Sequence, residues 1–242
     1  MDKPIIGIIS KHYNGSGVRR STHISDEIKN AILDNGGIPI GIIPTNKGVN
    51  YLFADFWKNC LSQEEQENIL AQINLCDGLI IQGGARSDIY EVYIARYAFD
   101  HDIPTLGICQ GQNTMIRAMG GTTKNVENLN KHGQTWADYA HPIRVMKDSK
   151  FYQIVKCERF KVNSRHKTTI DNPSSKYYVS GISDDGSYEV LEAPNKRFNF
   201  AIRFHPETLY AKDKKHNRIF SAFVNACKEY KEEKNNPTNE EK

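Results

Sequence analysis

One cysteine stands where a thiol could serve as a nucleophile, in Gly107-Ile108-Cys109-Gln110-Gly111 behind the apolar run Ile103 to Leu106. Glycine two residues before and two after it is the spacing of a nucleophile elbow, where a buried strand turns sharply into a helix and the nucleophile sits at the turn in a strained conformation. A residue without a Cβ lets strand and helix approach closely. The first free N–H groups of the helix then point at whatever the sulfur attacks and lower the thiol pKa.

Such a thiol needs a base, and His205 is the best placed of eight histidines because it follows the strand-like run Arg197 to Phe204. Two neighbouring parallel strands end at the same sheet edge, so His205 can meet Cys109 there. Pro206 is expected to prevent a helix and hold an extended path, which puts Glu207 on the His205 side to orient the ring. The order is then Cys109, His205, Glu207. An acyl transfer also needs donors for the oxyanion. Gln110, at the helix start, offers one N–H, and Gly84 of the pair Gly83-Gly84 offers another.

The elements that must position these groups are legible from periodicity. Pro4 to Ile9, Ile38 to Ile43 and Gly78 to Gln82 are continuous apolar, mostly β-branched runs, the pattern of strands buried on both faces of a parallel sheet. Helical spacing appears at Ile24, Ile28, Ala31 and Ile32, and at Ile69, Leu70 and Ile73 behind the capping box Ser62-Gln63-Glu64-Glu65. It returns from Asp88 to Phe99, after the elbow at Met115, Ile116, Ala118 and Met119, and from Asn217 to Tyr230. Alternation of this kind predicts a three-layer, doubly wound α/β sheet with ligands at the carboxyl ends of the strands. Extra β-strands are expected in the C-terminal half, at Pro142 to Met146, Tyr177 to Ser180 and Tyr188 to Ala193. Thr45 to Cys60 shows no clear period and reads as irregular. Tyr90, Tyr93, Trp136 and Tyr139 read as core aromatics before pocket ones.

Length and composition fit a single catalytic domain over residues 1–230, followed by a charged tail, 231–242, expected to be disordered. The net charge of +3, with lysines scattered among glutamates, gives no nucleic-acid stripe. No apolar run reaches the roughly 18 residues of a membrane span. The start has no leader pattern, and five cysteines form no CxxC pair, so a reduced, cytoplasmic setting without a zinc site is expected.

Together, Gly107-Ile108-Cys109-Gln110-Gly111 and His205-Pro206-Glu207 resemble the class I glutamine amidotransferase-like superfamily. Within it the chain is most similar to the γ-glutamyl hydrolases of the C26 peptidase type, including those of γ-glutamyl-γ-aminobutyrate. Pro4-Ile5-Ile6-Gly7-Ile8, Asn35-Gly36-Gly37-Ile38-Pro39, Asp77-Gly78-Leu79-Ile80, Gly120-Gly121-Thr122, His141-Pro142, Val162 to His166, and Asp185-Gly186 with Glu189 and Glu192 extend the likeness over nearly the whole chain. The resemblance implies a flavodoxin-like fold and cleavage of a γ-glutamyl amide through a glutamyl-thioester, with no metal or organic cofactor. It also implies that Asn163, Ser164 and His166 line the glutamyl pocket, with Asn113 as a further substrate contact.

The sequence departs from the family at Gln110, where arginine is usual, at Asn113, which replaces a longer amide, and at Lys167-Thr168, which replace a histidine and a glutamine. The segment after Gly84 is short. The leading reading is a free-standing hydrolase acting on a small γ-glutamyl substrate. A glutaminase subunit passing ammonia to a separate synthase partner is the alternative, and a catalytically silent binding protein a third. Homodimerisation is left open.

Overall fold

The apolar runs lie side by side as parallel strands in a computed structural model that describes residues 3–13, 21–45, 61–84, 87–127, 132–133 and 137–236. In chain order the strands are β1 (Ile5–Ile9), β2 (Lys11–Tyr13), β3 (Ser21–His23), β4 (Ile38–Ile42), β5 (Gly78–Ile81), β6 (Thr105–Ile108) and β7 (Thr122–Asn125). They continue with β8 (His141–Val145), β9 (Arg159–Val162), β10 (Thr168–Asn172), β11 (Tyr178–Ser183), β12 (Tyr188–Glu192) and β13 (Asn199–Ile202). The helices are α1 (Asp26–Asp34), α2 (Gln63–Ile73), α3 (Ile89–Asp100), α4 (Gln110–Ala118), α5 (Lys150–Val155) and α6 (Lys214–Asn235).

Nine strands form the central sheet in the order β4-β1-β5-β6-β13-β12-β11-β8-β9. The first five are parallel, and antiparallel pairing begins between β13 and β12. Period-two alternation sends side chains to two cores. Ile6, Ile8, Ile80, Leu106, Ile108 and Ile202 pack with Ile28 and Ile32 of α1 and Phe220 and Phe223 of α6. Ile9, Leu79, Ile81 and Ala201 pack on the other side with Ile69 of α2, Ile94 and Ala98 of α3, and Ile116 of α4. This is the doubly wound sheet that the alternating pattern predicts.

The predicted capping box forms, with Ser62 Oγ accepting from Glu65 N at 3.2 Å and Glu65 Oε2 accepting from Ser62 N at 2.8 Å. Tyr90 is core, fully buried. Residues 46–60, most of the segment read as irregular, and Trp136 lie outside the described residues.

The terminal helix differs from the sequence reading. It continues through Asn235, so residues 231–235 are helix and not tail. The charges of this last turn find partners: Glu233 Oε1 accepts from Arg197 Nη1 at 2.9 Å, and Lys234 Nζ donates to the Asn74 carbonyl at 2.8 Å. Residues 237–242 are outside the described set. The two-stranded pairing of β7 with β10, the pairing of β2 with β3, helix α5 and strand β9 have no counterpart in the sequence reading. Among the described residues no helix is long and apolar enough to cross a membrane.

Candidate active site

Strand β6 delivers Cys109 to the carboxyl edge of the sheet. Cys109 N donates to the carbonyl of Ile202 at 2.8 Å, the last bond of the β6–β13 ladder, and α4 starts at the next residue. The turn is strained: Cys109 has φ 53° and ψ −104°, a region that side chains with a Cβ rarely enter. The flanking glycines explain how so sharp a turn packs. A Cβ on Gly111 would stand 1.9 Å from the Ile81 carbonyl oxygen, and one on Gly107 would stand 2.3 Å from Met115 Sδ.

His205 follows β13, the neighbour of β6, and reaches the same edge. The path after it differs from the expected extended one. Pro206–Thr208 form a single 3-10 turn with proline in its first position, where a missing N–H and a fixed φ cost nothing. Glu207 still comes round to the ring, and its Oε1 lies 2.6 Å from His205 Nδ1. A carboxylate can only accept there, so Nδ1 carries the proton and Nε2 is left for the sulfur.

Burial works against charge on both Cys109 and His205, and their mutual attraction overcomes it. For Cys109, burial raises the thiol pKa, but the hydrogen-bonded His205 and the Arg203 guanidinium outweigh it and bring the thiol below its usual value. For His205, burial favours the neutral ring, but Glu207 and Cys109 pull the pKa upward. The two shifts run in the same direction, each favouring the charged form, thiolate beside imidazolium.

Gly83 is the glycine pressed against this pair. A Cβ there would lie 3.1 Å from His205 Cε1 and 3.4 Å from Cys109 Cβ. Gly84, the residue named from sequence as an oxyanion donor, is exposed and packs along the aliphatic stem of Lys11. Gln110 lies at the first position of α4, where backbone N–H groups have no partner inside the helix. Its side chain turns away into the fold, Nε2 donating to Ser87 Oγ at 2.8 Å.

The residues expected to contact substrate are buried and hydrogen-bonded within the protein. Asn163 is fully buried and grips the backbone of His205, accepting from its N–H at 2.7 Å and donating to its carbonyl at 2.9 Å. Asn113 is buried in the first turn of α4, where it donates to Gln110 Oε1 at 3.1 Å and to Thr168 Oγ1 at 3.2 Å. Ser164 and His166 are also buried, bonded to His132 and to the Thr168 carbonyl.

Sequence reasoning missed Arg203. It is 1% exposed, and its Nη1 donates to the Cys109 carbonyl at 2.9 Å and to Asn113 Oδ1 at 3.0 Å, while Nη2 reaches Thr168 Oγ1 at 2.8 Å. A basic residue between the apolar Ile202 and Phe204, two residues before the histidine, is the signal that could have found it. Three positions that depart from the family pattern, Gln110, Asn113 and Thr168, thus form one hydrogen-bonded group, and Arg203 brings a guanidinium to Cys109, which no arginine follows in sequence.

The Peptidase C26 profile matches residues 84–207, a stretch that includes the elbow and the His-Pro-Glu run. The chain belongs to the Peptidase C26 family. Relatives in sequence include the CTP synthase of Pyrococcus abyssi, 31% identical over 192 residues, covering 65% of this chain and 35% of that protein. The CTP synthase of Chlamydia trachomatis is 27% identical over 207 residues, 71% of this chain and 38% of that one. The chain spans about a third of the length of these curated relatives. In fold, this C26 member is similar to a candidate GMP synthase subunit of Thermoplasma acidophilum, with TM-score 0.68 at 16% identity over 96% of this chain and 98% of that chain. It is also similar to the glutaminase domain of Trypanosoma brucei CTP synthase with bound acivicin, with TM-score 0.63 at 14% identity over 94% of each chain. The architecture is that of class I glutamine amidotransferase-like domains.

Proposed function

We propose that this protein hydrolyses a γ-glutamyl amide through a glutamyl-thioester on Cys109. The observation that carries the reading is the coupled Cys109–His205–Glu207 group at a strained elbow, in a C26 chain. The thiolate attacks the amide carbon and forms a C–S bond. Negative charge gathers on the oxygen, where the backbone N–H of Gln110 and that of Gly84 act as donors, with the close approach of Gly83 keeping that backbone near the sulfur. The tetrahedral adduct expels its amine, which takes the proton held at His205 Nε2. Water then attacks the thioester, His205 removes its proton, and the C–S bond breaks to release glutamate. Glu207 keeps the ring in the tautomer both steps need. Hydrolysis of a panel of γ-glutamyl amides, glutamine included, by wild type and Cys109→Ala tests this. Release by wild type alone supports it, and equal release by both removes Cys109 from the reaction.

A second reading is favoured by one observation: the sequence relatives include CTP synthases matched over only about a third of their length. On this reading glutamine is the amide and ammonia passes to a separate synthase chain. Glutaminase activity that rises only when a co-purified synthase is present supports it; full activity of the isolated chain favours the free-standing hydrolase.

A further inference from the structure

Behind the nucleophile, four side chains that the proposed reaction does not use converge on one small buried volume. His132, His141, His166 and Glu189 are all buried, and one ligand-capable atom from each lies within 4.8 Å of the others. Glu189 Oε1 is 3.5 Å from His141 Nε2, 3.6 Å from His166 Nε2 and 3.8 Å from His132 Nδ1. These separations are too long for charge-assisted hydrogen bonds, which lie at about 2.7–2.9 Å. Among the described residues, both carboxylate oxygens of Glu189, His141 Nε2 and His166 Nε2 have no hydrogen-bond partner. A buried carboxylate left in this way is costly.

The other ring nitrogens are all engaged. His166 Nδ1 lies 3.0 Å from the Thr168 carbonyl, His141 Nδ1 lies 3.3 Å from the Pro142 carbonyl, and His132 Nε2 lies 2.6 Å from Asp185 Oδ2. Each of those oxygens can only accept, so each named nitrogen carries its proton. In neutral rings, the form that ligates a metal, the opposite nitrogens present lone pairs toward the Glu189 carboxylate. Ser164 Oγ, 3.2 Å from His132 Nδ1, donates to the His132 carbonyl at 3.0 Å. Three lone pairs and a carboxylate facing one another with no proton between them repel, and a cation at their centre reverses the sign.

We propose that His132, His141, His166 and Glu189 bind one divalent transition ion of the zinc type. Ligand distances of about 2.0–2.1 Å in a tetrahedral site give ligand-to-ligand edges of about 3.4 Å, close to the separations around Glu189 Oε1. Three imidazoles and a carboxylate suit zinc and its first-row neighbours. Asp185 plays the outer carboxylate that fixes a ligand histidine. Four protein ligands and near-complete burial make the site closed, the form structural ions take. Its effect reaches the active site through Asn163, next to Ser164, and through Thr168, which accepts from both His166 and Arg203. No cysteine takes part, and the ligands are scattered from residue 132 to residue 189, so the cysteine spacing that argues against zinc in the sequence does not bear on it. The proposal does not depend on the γ-glutamyl reading.

The test uses the full chain carrying Cys109→Ser, so that the nucleophile cannot itself bind the ion, stripped by a chelator and titrated with cobalt(II) and zinc(II). One equivalent of cobalt with the visible bands of four-coordinate geometry, and a melting temperature that rises saturably with zinc, are expected. Glu189→Gln in the same background should abolish the cobalt bands. Asp185→Asn, at a partly exposed position that does not touch the ion, should weaken binding about 10- to 100-fold without changing stoichiometry. Failure of the stripped chain to bind cobalt, or equal binding by the chain with and without Asp185→Asn, overturns the proposal.

Discussion

Asn163 holds His205 from both sides of its peptide unit, taking the N–H at 2.7 Å and giving a hydrogen bond to the carbonyl at 2.9 Å. A side chain 42 residues earlier in sequence thereby fixes the strand end from which the His205 ring projects. Asn163→Ala removes both bonds, and kcat/KM is expected to fall about 10- to 100-fold, the order of effect that a small displacement of a reacting group produces. Asn163→Asp, which still accepts from the N–H, should fall less. A structural role alone would leave Cys109 unchanged; here the alkylation profile of Cys109 should move toward that of an ordinary thiol in Asn163→Ala.

The pH dependence of alkylation reads the Cys109–His205 pair directly. An ordinary thiol, with a pKa near 8.5, gains reactivity about tenfold per pH unit below that value. Cys109 is held below its usual value by His205 and Arg203 against the effect of burial. Its rate with iodoacetamide should therefore level off at a lower pH than that of a reference thiol. A rate that climbs in parallel with the reference excludes the ion pair.

At the elbow, Gly111→Ala places a methyl group against the Ile81 carbonyl oxygen, a contact of 1.9 Å with backbone that cannot swing aside. Destabilisation of at least about 3 kcal/mol by urea unfolding is expected. A loss below about 1 kcal/mol would show that α4 can move away from β5.

His216 gives the fold its own acid sensitivity. It lies fully buried, its ring edge-on to Phe160 and Phe204 at centroid distances of 5.6 and 5.7 Å, and burial pushes its pKa down to about 4. In the unfolded chain it titrates near 6.5, so below that pH the unfolded state takes up a proton that the folded state refuses. This contribution is fully present above about pH 6.5 and is lost as pH falls toward about 4, about 3 kcal/mol in all. The urea midpoint of His216→Phe should fall less steeply than that of wild type across this window; equal slopes refute the assignment.

The parallel half of the sheet was legible because strands buried on both faces leave unbroken runs such as Ile5-Ile6-Gly7-Ile8-Ile9, and glycine at Gly107 and Gly111 marks the elbow between them. The meeting of Cys109 and His205 at one sheet edge was legible because each follows such a strand. What escaped was long-range polarity. Arg203, Asn163 and the histidines at 132, 141 and 166 find their partners across tens of residues, and no local spacing records that. The last turn of α6 escaped for the same reason, since its charges are satisfied by Arg197 and the Asn74 carbonyl and not by apolar contact.

The central claim, that Cys109 carries the acyl group of a γ-glutamyl amide, is tested by acid-quenching the enzyme during turnover of glutamine or a slow γ-glutamyl amide and mapping the adduct by mass spectrometry. A glutamyl adduct confined to the peptide containing Cys109, and absent from Cys109→Ala, is predicted. Turnover that proceeds in Cys109→Ala, or an adduct on another residue, contradicts it.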